Sequence, residues 1–541
     1  MFPIHTGRPA TFAPKGMVAS PHSLASAAGV DALRAGGSAV DAAIAAGAAL
    51  SVLYPHMTSV GGDAFWLIYD AQAGRVRCLN GGGRAARSAR IDWFHSRGMK
   101  EIPLRGFLPA TLTVPGGVAS WCAAHEEYGR LSLARDLAAA IGYAREGFPV
   151  TGRLARAIEL HAADNSLNAH ALAIFTARGA APRAGDKLAN RGLALVLERI
   201  AAAGREGFYA GDTARSLASF ARAGGGFFDE ADFRAQQASW AEPLSATYRG
   251  VEIFETPPPT QGFTVLEMLN LIEPYEIGKM DPLGPELAHL LVQAKQIAYH
   301  DRDRLLADPE FQSVPVERLI SKPYAAERRL LMRADRALPW DLVPSYGTLA
   351  GDTVFVCAVD GEGNAAALIQ SLYFTFGSGV VAGDTGVVLQ NRSAYFSLDP
   401  LHPNRLEPGK RPMHTLIASL ALKDGRLWQV LGCMGADGQP QIHLQSYVGL
   451  VDFGLDVQQA LEMPRWLSGR FNIGDSRDLL NIEGRFPGAT VKELERRGHT
   501  ANRWPDFCEL AGHAHGITID PVSGVRAGGS DPRSDGAAIG Y

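Results

Sequence analysis

The sequence predicts an α+β protein in which two sheets lie between helical layers, a four-layer αββα sandwich. Two observations lead to this fold class. The chain up to about residue 300 is rich in alanine and mostly helical in pattern, whereas strand-like runs dominate from residue 353 onward. Helices outside two sheets would bury the second face of each sheet. With 541 residues, 46% of them hydrophobic, the chain can form such a core without disulfides or metals.

The first part of the chain begins with two predicted helices. Ser23 can cap a helix over residues 24–34, and Ser38 can cap a second helix that ends at Tyr54, before a proline. Residues 59–70 and 75–80 then have the aromatic and β-branched character of strands. From residue 130 to 299 the periodicity is helical, apart from Phe254–Phe263, where prolines and a glycine predict an extended loop.

The second part of the chain is predicted to consist mainly of strands. A GEGN turn joins the first two of them, which indicates a hairpin. The predicted strands are Thr353–Val359, Ala365–Leu372, Val387–Gln390, Thr415–Leu422, Trp428–Leu431 and Gly516–Asp520.

Charge and composition exclude several classes of function. The net charge is −4 and the isoelectric point is about 6.4, so no broad basic surface is available for nucleic acid or an anionic membrane. A small-molecule substrate is therefore expected. The N-terminus has prolines and charges where a secretory signal would be apolar. The most apolar segment, residues 42–54, is shorter than the roughly 20 residues of a membrane span, so we expect a cytoplasmic protein with no membrane contact.

No cofactor or metal site is predicted. The five cysteines lack the CxxC spacing of zinc sites and are expected to be buried thiols. His513 and His515 would face the same side of a strand and could suggest a metal hydrolase. No HExxH motif or carboxylate cluster accompanies them, so we interpret both as structural histidines.

Thr353 is the candidate nucleophile because it stands at the first position of a buried strand, directly after Gly351 and Asp352. Hydrolysis of an amide without a metal needs a nucleophile, a base and donors for the oxyanion. An N-terminal threonine supplies the first two, since its α-amine has a pKa near 7.7 to 8.0 in model peptides. Cleavage before Thr353 would create that amine. On the bare sequence, the alternative is a β-branched residue that merely begins a strand.

The surrounding residues resemble the processing region of the gamma-glutamyltranspeptidase family of N-terminal-nucleophile hydrolases. The resemblance is carried by DTVFVCAVDGEGNAAALIQSLYFTFGSG, residues 352–379, with the threonine, the polar hairpin and the FGSG motif. Further segments resemble the family in the same order, so that nearly the whole chain is covered. They are residues 23–43, 59–70, 114–121, 257–269, 298–311, 409–415 and 530–541.

The resemblance implies a cleavage and a set of catalytic residues. The family is cut before its nucleophile, here between Asp352 and Thr353, which would give a large subunit, residues 1–352, and a small subunit, residues 353–541. Ser371 lies where the family has a second hydroxyl that hydrogen-bonds the nucleophile. The backbone N–H groups of Gly435 and Ala436 match the family's oxyanion hole. Together the two subunits would form one αββα unit, and a dimer of that unit is a reasonable expectation.

The substrate pocket departs from the γ-glutamyl pattern. Where the family binds the α-amine of the substrate with Asn, Gln and Asp side chains, this sequence has Tyr373, Arg392 and Tyr395. The arginine that binds the α-carboxylate is displaced: a glycine stands at its position and Arg84 follows two residues later. His414 and Thr415 replace two serines of the family, and both can still donate hydrogen bonds to an anion.

These departures resemble a divergent branch of the family that includes the oxamate amidohydrolases. Arginine can bind a planar carboxylate in a bidentate manner, so hydrolysis of a small carboxylate amide, such as oxamate, to a dicarboxylate and ammonia is the preferred function. A gamma-glutamyltransferase or glutathione hydrolase is the first alternative. The second is an unprocessed relative that binds a metabolite without catalysis.

Overall fold

The computed structural model describes residues 7–106, 108–340, 351–471 and 474–541. In these residues no helix is both long enough and apolar enough to cross a bilayer. The helices are α1 (Ser23–Arg34), α2 (Ala39–Leu53), α3 (Ile91–His95), α4 (Gly117–Tyr128), α5 (Leu133–Glu146), α6 (Gly152–Ala163), α7 (Ala169–Phe175), α8 (Arg191–Ala203), α9 (Glu206–Tyr209), α10 (Gly211–Ala223), α11 (Glu230–Ala235), α12 (Phe263–Ile272), α13 (Pro285–Leu305), α14 (Val316–Leu319), α15 (Lys322–Arg329), α16 (Gln439–Tyr447), α17 (Val457–Glu462) and α18 (Gly488–Arg496).

The strands form two large sheets and two small ones. Sheet I has the order β19-β2-β10-β11-β3-β4-β7 and sheet II the order β1-β18-β17-β13-β12-β9-β8. The strands are β1 (Thr11–Ala13), β2 (Met17–Ser20), β3 (Asp63–Asp70), β4 (Arg75–Gly81), β5 (Phe148–Pro149), β6 (Lys187–Leu188), β7 (Ser239–Ala241), β8 (Leu244–Tyr248), β9 (Val251–Glu255), β10 (Asp352–Val359), β11 (Ala365–Tyr373), β12 (Ala418–Lys423), β13 (Arg426–Cys433), β14 (Trp466–Ser468), β15 (Leu479–Glu483), β16 (Thr500–Trp504), β17 (Ala514–Ile519), β18 (Arg526–Ser530) and β19 (Ala537–Gly540).

The two large sheets pack face to face and are covered by helices outside. Apolar side chains of both sheets, including Phe355 and Leu420, fill the space between them. Helices α1, α2 and α4 pack against the outer face of sheet I, and α12, α16 and α17 pack against that of sheet II. The predicted α+β, four-layer αββα sandwich is therefore confirmed.

The alternation of side chains along β10 directs its first residues toward the space between the sheets. Val354 and Val356 pack under the helices, whereas Phe355 and Cys357 point toward sheet II. Because side chains in a strand alternate with a period of two, Thr353 lies on the side of sheet II. It stands at the strand's N-terminal end, at the edge of the inter-sheet core.

Four local predictions can be compared with the structure. Ser38 caps α2 with a full capping box, as predicted. The cap of α1 was predicted wrongly, since His22 and not Ser23 accepts the first N–H. Residues 387–390 do not form a strand, and only an isolated bridge joins Val381 and Val388. The helical interpretation of residues 130–299 missed the hairpin β8–β9, in which Gly250 adopts a φ of 81° at the turn.

Candidate active site

Thr353 is buried and hydrogen-bonded through its hydroxyl. Its side chain is only 1% exposed, and Oγ1 donates to Ser371 Oγ at 3.1 Å. A bulge brings the two residues together: Asp352 is opposite Tyr373 and Val354 is opposite Gln370, so β11 contains one extra residue. Bulges of this kind redirect side chains next to functional sites. Here the bulge places the Ser371 hydroxyl beside Thr353.

Ser371 connects the Thr353 hydroxyl to the peptide carbonyl that precedes it. The Ser371 hydroxyl donates to the carbonyl oxygen of Asp352 at 2.7 Å. It also accepts from the backbone N–H of Tyr373 at 2.7 Å and from Nη2 of Arg392 at 3.0 Å. The carbonyl between Asp352 and Thr353 is therefore polarised by a hydroxyl that two further donors hold in place. A donor at that oxygen would stabilise the negative charge that develops when the carbonyl carbon is attacked.

The two residues before Thr353 are closely enclosed. A Cβ atom on Gly351 would lie 2.7 Å from the carbonyl oxygen of Tyr373 and 2.9 Å from Cβ of Ala436. This close approach explains why glycine stands at position 351. Loss of hydration raises the pKa of the Asp352 carboxyl to about 7, although a hydrogen bond from Thr375 opposes the shift. The negative charge beside the carbonyl carbon is consequently reduced at neutral pH.

Gly435 and Ala436 form a strained turn with free N–H groups. Their φ angles are 142° and 46°, and the turn continues into a 3₁₀ helix, Ala436–Gly438. Across the described ranges of the chain, no acceptor takes the N–H group of either residue. Gln261 fixes the turn from behind by donating to the carbonyl of Ala436 at 3.1 Å. Unpaired N–H groups in a fixed turn are the donors that an oxyanion hole requires.

Arg392 is a fully buried cation next to Ser371. Its Nη1 donates to Oγ1 of Thr415 at 3.1 Å, and its Nη2 donates to Ser371. The guanidinium lies over the rings of Tyr373 and Tyr395, at 4.8 and 5.6 Å from their centroids. Within the described residues it forms no ion pair, and its Nε has no acceptor. A buried charge without a paired counter-charge is costly, so the site favours an anionic ligand.

His414 and Asp63 face each other beside this guanidinium. Nε2 of His414 lies 3.5 Å from Oδ2 of Asp63, and both side chains are buried. Burial lowers the pKa of His414 well below its usual value, and the positive charge of Arg392 adds to the effect. The histidine is therefore neutral and can accept or donate one hydrogen bond at each ring nitrogen.

Asp63 also organises the glycine turn that follows β4. Its Oδ1 accepts from the N–H groups of Gly83 and Gly116 at 2.9 and 3.0 Å and from Nε2 of Gln390 at 3.0 Å. Burial raises the pKa of Asp63 to about 6, although Arg392 lowers it. Sequence reasoning did not single out Asp63. The sequence signal that could have identified Asp63 is a carboxylate directly before a run of apolar and aromatic residues, 64–69, in a strand.

Arg84 lies apart from the residues around Thr353. Its Nη2 donates to both carboxylate oxygens of Glu310, at 2.7 and 2.8 Å, and its Nη1 donates to the carbonyl of Gly409 at 3.0 Å. The position two residues earlier is closer to the site, since a Cβ on Gly82 would lie 3.2 Å from Nε2 of His414. The glycine turn thus does not bring the Arg84 side chain to the place where the resemblance put the family's arginine.

Two cavities border the residues around the Asp352–Thr353 peptide. One has a volume of about 390 Å³ and is bounded by Tyr373, Tyr395 and Arg470. The other has a volume of about 760 Å³ and is bounded by Asp352, Thr375 and Gly435. The larger cavity thus reaches Asp352, whereas the smaller one borders the two tyrosines beside Arg392.

One group of side chains in the described part of the chain has the spacing of metal ligands. It consists of Asp41, His125 and Asp136 in the outer helical layer. Asp41 closes the capping box of α2 and accepts the backbone N–H of Arg130 at 2.9 Å. His513 and His515 are not part of this group, and both are buried at the N-terminal end of β17, an inner strand of sheet II. Nothing in this group connects it with Thr353.

The whole chain is similar to proteins of one family. The family model described as Gamma-glutamyltranspeptidase matches residues 25–541. The Glutathione hydrolase-like YwrD proenzyme of Bacillus subtilis (strain 168) is 42% identical over 527 residues, covering 97% of this chain and 98% of that protein. The Oxamate amidohydrolase proenzyme of Klebsiella pneumoniae is 38% identical over 532 residues, with 97% and 98% covered. The crystal structure of a cephalosporin acylase from Bacillus halodurans superimposes with a TM-score of 0.92 at 37% identity, covering 100% of this chain and 98% of that one.

Proposed function

Since the chain belongs to the gamma-glutamyltranspeptidase family of N-terminal-nucleophile hydrolases, we propose that it is a self-processing amidohydrolase whose nucleophile is Thr353. The observation that carries the proposal is the hydrogen-bond chain from the Thr353 hydroxyl through Ser371 to the carbonyl of Asp352. A threonine that merely begins a strand needs no such arrangement. The same residues would first cut the chain and then hydrolyse substrate.

Self-cleavage would proceed as an N-to-O acyl shift at the Asp352–Thr353 peptide. Oγ1 of Thr353 attacks the carbonyl carbon of Asp352, and the hydroxyl of Ser371 stabilises the oxyanion. The C–N bond breaks, the nitrogen gains the proton of the hydroxyl, and water then hydrolyses the ester. The products are a large subunit, residues 1–352, and a small subunit, residues 353–541, which stay together as one αββα unit.

The new N-terminus would then serve as the base for amide hydrolysis. The α-amine of Thr353 accepts the hydroxyl proton as Oγ1 attacks the substrate, since its ordinary pKa of about 7.7 to 8.0 leaves part of it neutral. The free N–H groups of Gly435 and Ala436 would hold the oxyanion. The acyl-enzyme is finally released by water as a carboxylate.

Arg392 favours a small amide that carries a carboxylate. Its guanidinium has no ion-pair partner among the described residues and still has N–H groups to donate. Thr415 and the neutral His414 add hydrogen-bonding capacity beside it. A substrate such as oxamate would supply the missing negative charge. Arg84 could take this role only by leaving Glu310.

A gamma-glutamyltransferase or glutathione hydrolase is the second candidate, and the name of the YwrD relative favours it. Its substrate carries an α-ammonium group, which would lie near Arg392 in this pocket. Two like charges about 4 Å apart repel each other by about 1 to 4 kcal/mol at dielectric constants between water and a protein surface. The pocket therefore favours the carboxylate amide. An unprocessed, non-catalytic relative is the third candidate, and the intact Thr353–Ser371 pair argues against it.

The proposal is tested by processing and by substrate preference. Denaturing electrophoresis of the purified protein should show two subunits, whereas one persistent full-length band would support the non-catalytic relative. A coupled ammonia assay should then show turnover of oxamate-like monoamides, and release of p-nitroaniline from γ-glutamyl-p-nitroanilide should be slower. The opposite ranking would support the gamma-glutamyltransferase. A cytoplasmic location and a dimer of the two-subunit unit are further proposals, the latter testable by light scattering.

A further inference from the structure

Two buried carboxylates face each other in the outer helical layer, away from the residues around Thr353. Asp41 belongs to α2 and Asp136 to α5, and both side chains are completely buried. In the described part of the chain, neither carboxylate has a lysine or arginine within ion-pair distance. Burying a charge without a partner is costly. Two neighbouring carboxylates at this place therefore require a positive ligand or a proton.

Asp136 is the member of the pair that lacks partners. It is 1% exposed, and neither of its carboxylate oxygens has a hydrogen-bond partner among the residues that the structure describes. Its Oδ2 lies 3.6 Å from Nε2 of His125, so the carboxylate points into the space that the three side chains share. Buried polar groups are rarely left unpaired in folded proteins. This carboxylate is therefore available to a further ligand.

Asp41 is held in one orientation by hydrogen bonds from outside the group. Its Oδ2 accepts from the N–H and the hydroxyl of Ser38 at 2.6 and 2.9 Å, and from the N–H of Arg130 at 2.9 Å. Its Oδ1 receives only longer contacts, from the N–H groups of Arg130 at 3.2 Å and Leu131 at 3.4 Å. Outer hydrogen bonds of this kind orient the ligands of metal sites. Oδ1 is thus fixed in place and can still bind a ligand.

His125 completes a set of atoms with the spacing of metal ligands. Its Nε2 lies 3.6 Å from Oδ2 of Asp136 and 3.9 Å from Oδ1 of Asp41. Two ligands at about 2.1 Å from a tetrahedral ion are about 3.4 Å apart, so small side-chain movements would suffice. The carbonyl oxygen of Leu131 lies 2.8 Å from the same nitrogen and would be a fourth donor. The His125 side chain is 22% exposed, which gives an ion access from solvent.

We propose that Asp41, His125 and Asp136 bind one divalent transition-metal ion, and that Zn²⁺ fits this set of ligands. The imidazole disfavours Ca²⁺ and Mg²⁺, which take oxygen ligands. Two carboxylates balance the double charge of the ion, so the buried site is neutral. The ion replaces the proton at Nε2 of His125, and Nδ1 carries the proton of the neutral ring.

The ion would connect three helices of the layer outside sheet I. Helices α2 and α4 pack against the sheet, and α5 packs against α2. An ion that binds only the folded chain stabilises it. None of the three ligands belongs to the residues assigned to catalysis. The inference therefore does not depend on the proposed function, and it holds for the cleaved and the uncleaved chain alike.

The alternative occupant is a proton shared by the two carboxyl groups. Without an ion, burial and the negative charge of Asp41 raise the pKa of Asp136 to about 9. A proton would need only the two carboxyl groups, whereas an ion also needs the imidazole. Substitution of His125 consequently separates the two occupants.

Zinc binding to the full-length protein tests the proposal. The protein is treated with EDTA, dialysed and titrated with ZnCl₂ in a calorimeter, and bound zinc is counted by mass spectrometry after gel filtration. Wild type should bind one zinc ion at this site per chain. Asp136→Asn keeps the shape of the side chain and removes its charge. Since even a change to an outer partner costs about 10- to 100-fold in metal affinity, this variant should bind zinc at least about 100-fold more weakly.

Two further variants make the test specific. His125→Gln can still donate a hydrogen bond to the carbonyl of Leu131, and it should lose zinc as Asp136→Asn does. Asp232→Asn is the matched control, because Asp232 is also a buried aspartate in the first turn of a helix but lies outside the group. Zinc should raise the Tm of wild type and of the control by a few degrees and leave that of the other two variants unchanged. Circular dichroism without zinc reports whether each variant is folded.

The remaining outcomes would overturn the proposal. Equal zinc binding and equal Tm shifts in all four proteins would assign the ions to exposed histidines elsewhere. No uptake of zinc by wild type would leave the two carboxyl groups to a proton. If Asp136→Asn does not fold, the comparison of wild type, His125→Gln and Asp232→Asn decides between the same outcomes. Amidase activity and cleavage before Thr353 are measured separately, so failure of the proposed function is distinguishable from failure of the metal site.

Discussion

Replacing Arg392 by glutamine should exchange the substrate preference of the enzyme. Arg392 is buried, forms no ion pair within the described residues, and lies between Ser371 and two tyrosine rings. Glutamine can still donate a hydrogen bond toward Ser371 but carries no charge. The variant Arg392→Gln therefore removes the cation and retains much of the polar contact.

The size of the effect follows from the charge alone. A hydrogen bond between a guanidinium and a carboxylate contributes about 1.5 to 3 kcal/mol, which corresponds to a loss of roughly 10- to 150-fold in kcat/KM for oxamate. For γ-glutamyl-p-nitroanilide the repulsion of about 1 to 4 kcal/mol disappears. Its kcat/KM should stay constant or rise, so that the ratio of the two substrates changes by at least about tenfold.

The measurement compares steady-state kinetics of both substrates with the processed variant. Arg84→Gln is the matched control, since Arg84 is an arginine bound to Glu310 and Gly409 and not to the Thr353 network. It should leave the substrate ratio within about twofold of wild type, because it touches no residue of the site. A constant ratio in Arg392→Gln together with a large loss in Arg84→Gln would refute the reasoning and assign the carboxylate to Arg84.

Three further predictions concern the cleavage and the stability of the site. Thr353→Ala should remain a full-length, inactive precursor on a denaturing gel, and normal cleavage would remove Thr353 from the mechanism. Gly351→Val should slow cleavage severely, because its Cβ would lie within 3 Å of Tyr373 and Ala436. The control Gly361→Val should be cleaved normally, because the nearest atom to its Cβ would be 4.0 Å away. Equal cleavage rates of the two variants in pulse-chase labelling would contradict this reasoning. Asp63 has a folded-state pKa of about 6, raised by burial from 3.8, so its stabilisation is complete below pH 4 and is lost as the pH rises through 6. The measurement compares urea titrations of the uncleaved Thr353→Ala chain with and without the additional substitution Asp63→Asn. Between pH 4 and pH 7 the free energy of unfolding should fall by about 3 kcal/mol more in the chain that retains Asp63. Parallel pH profiles of the two chains would show that Asp63 does not titrate in this range.

Local signals predicted the elements that follow simple rules. The capping box of Ser38 and the alternation along β10 and β11 depend only on residues close together in the sequence, and both are present in the structure. The hairpin β8–β9 also had a local signal, a glycine at its turn, but helical periodicity on both sides obscured it. Residues 387–389 are apolar because they are buried, and the backbone hydrogen bonds of residues 387–390 go to loops rather than to a neighbouring strand.

The relations that build the site are mostly non-local. The bulge that brings Ser371 to Thr353 depends on the pairing of β10 and β11, and no residue type at these positions predicts it. Asp63 contacts Gly83, Gly116 and Gln390, which are far apart in the chain. The sequence also could not predict that Arg84 lies apart from Thr353, since its partner Glu310 is 226 residues away in the chain. A resemblance could name positions, but only the fold shows which side chains meet.

The most direct test of the account is the N-terminal sequence of the small subunit in the active enzyme. Edman degradation of that subunit, isolated from protein with measured amidase activity, should read Thr-Val-Phe-Val. Its intact mass should correspond to residues 353–541. An active enzyme whose chain is uncut, or whose small subunit starts at any other residue, would contradict the central claim that the free amine of Thr353 activates its own hydroxyl.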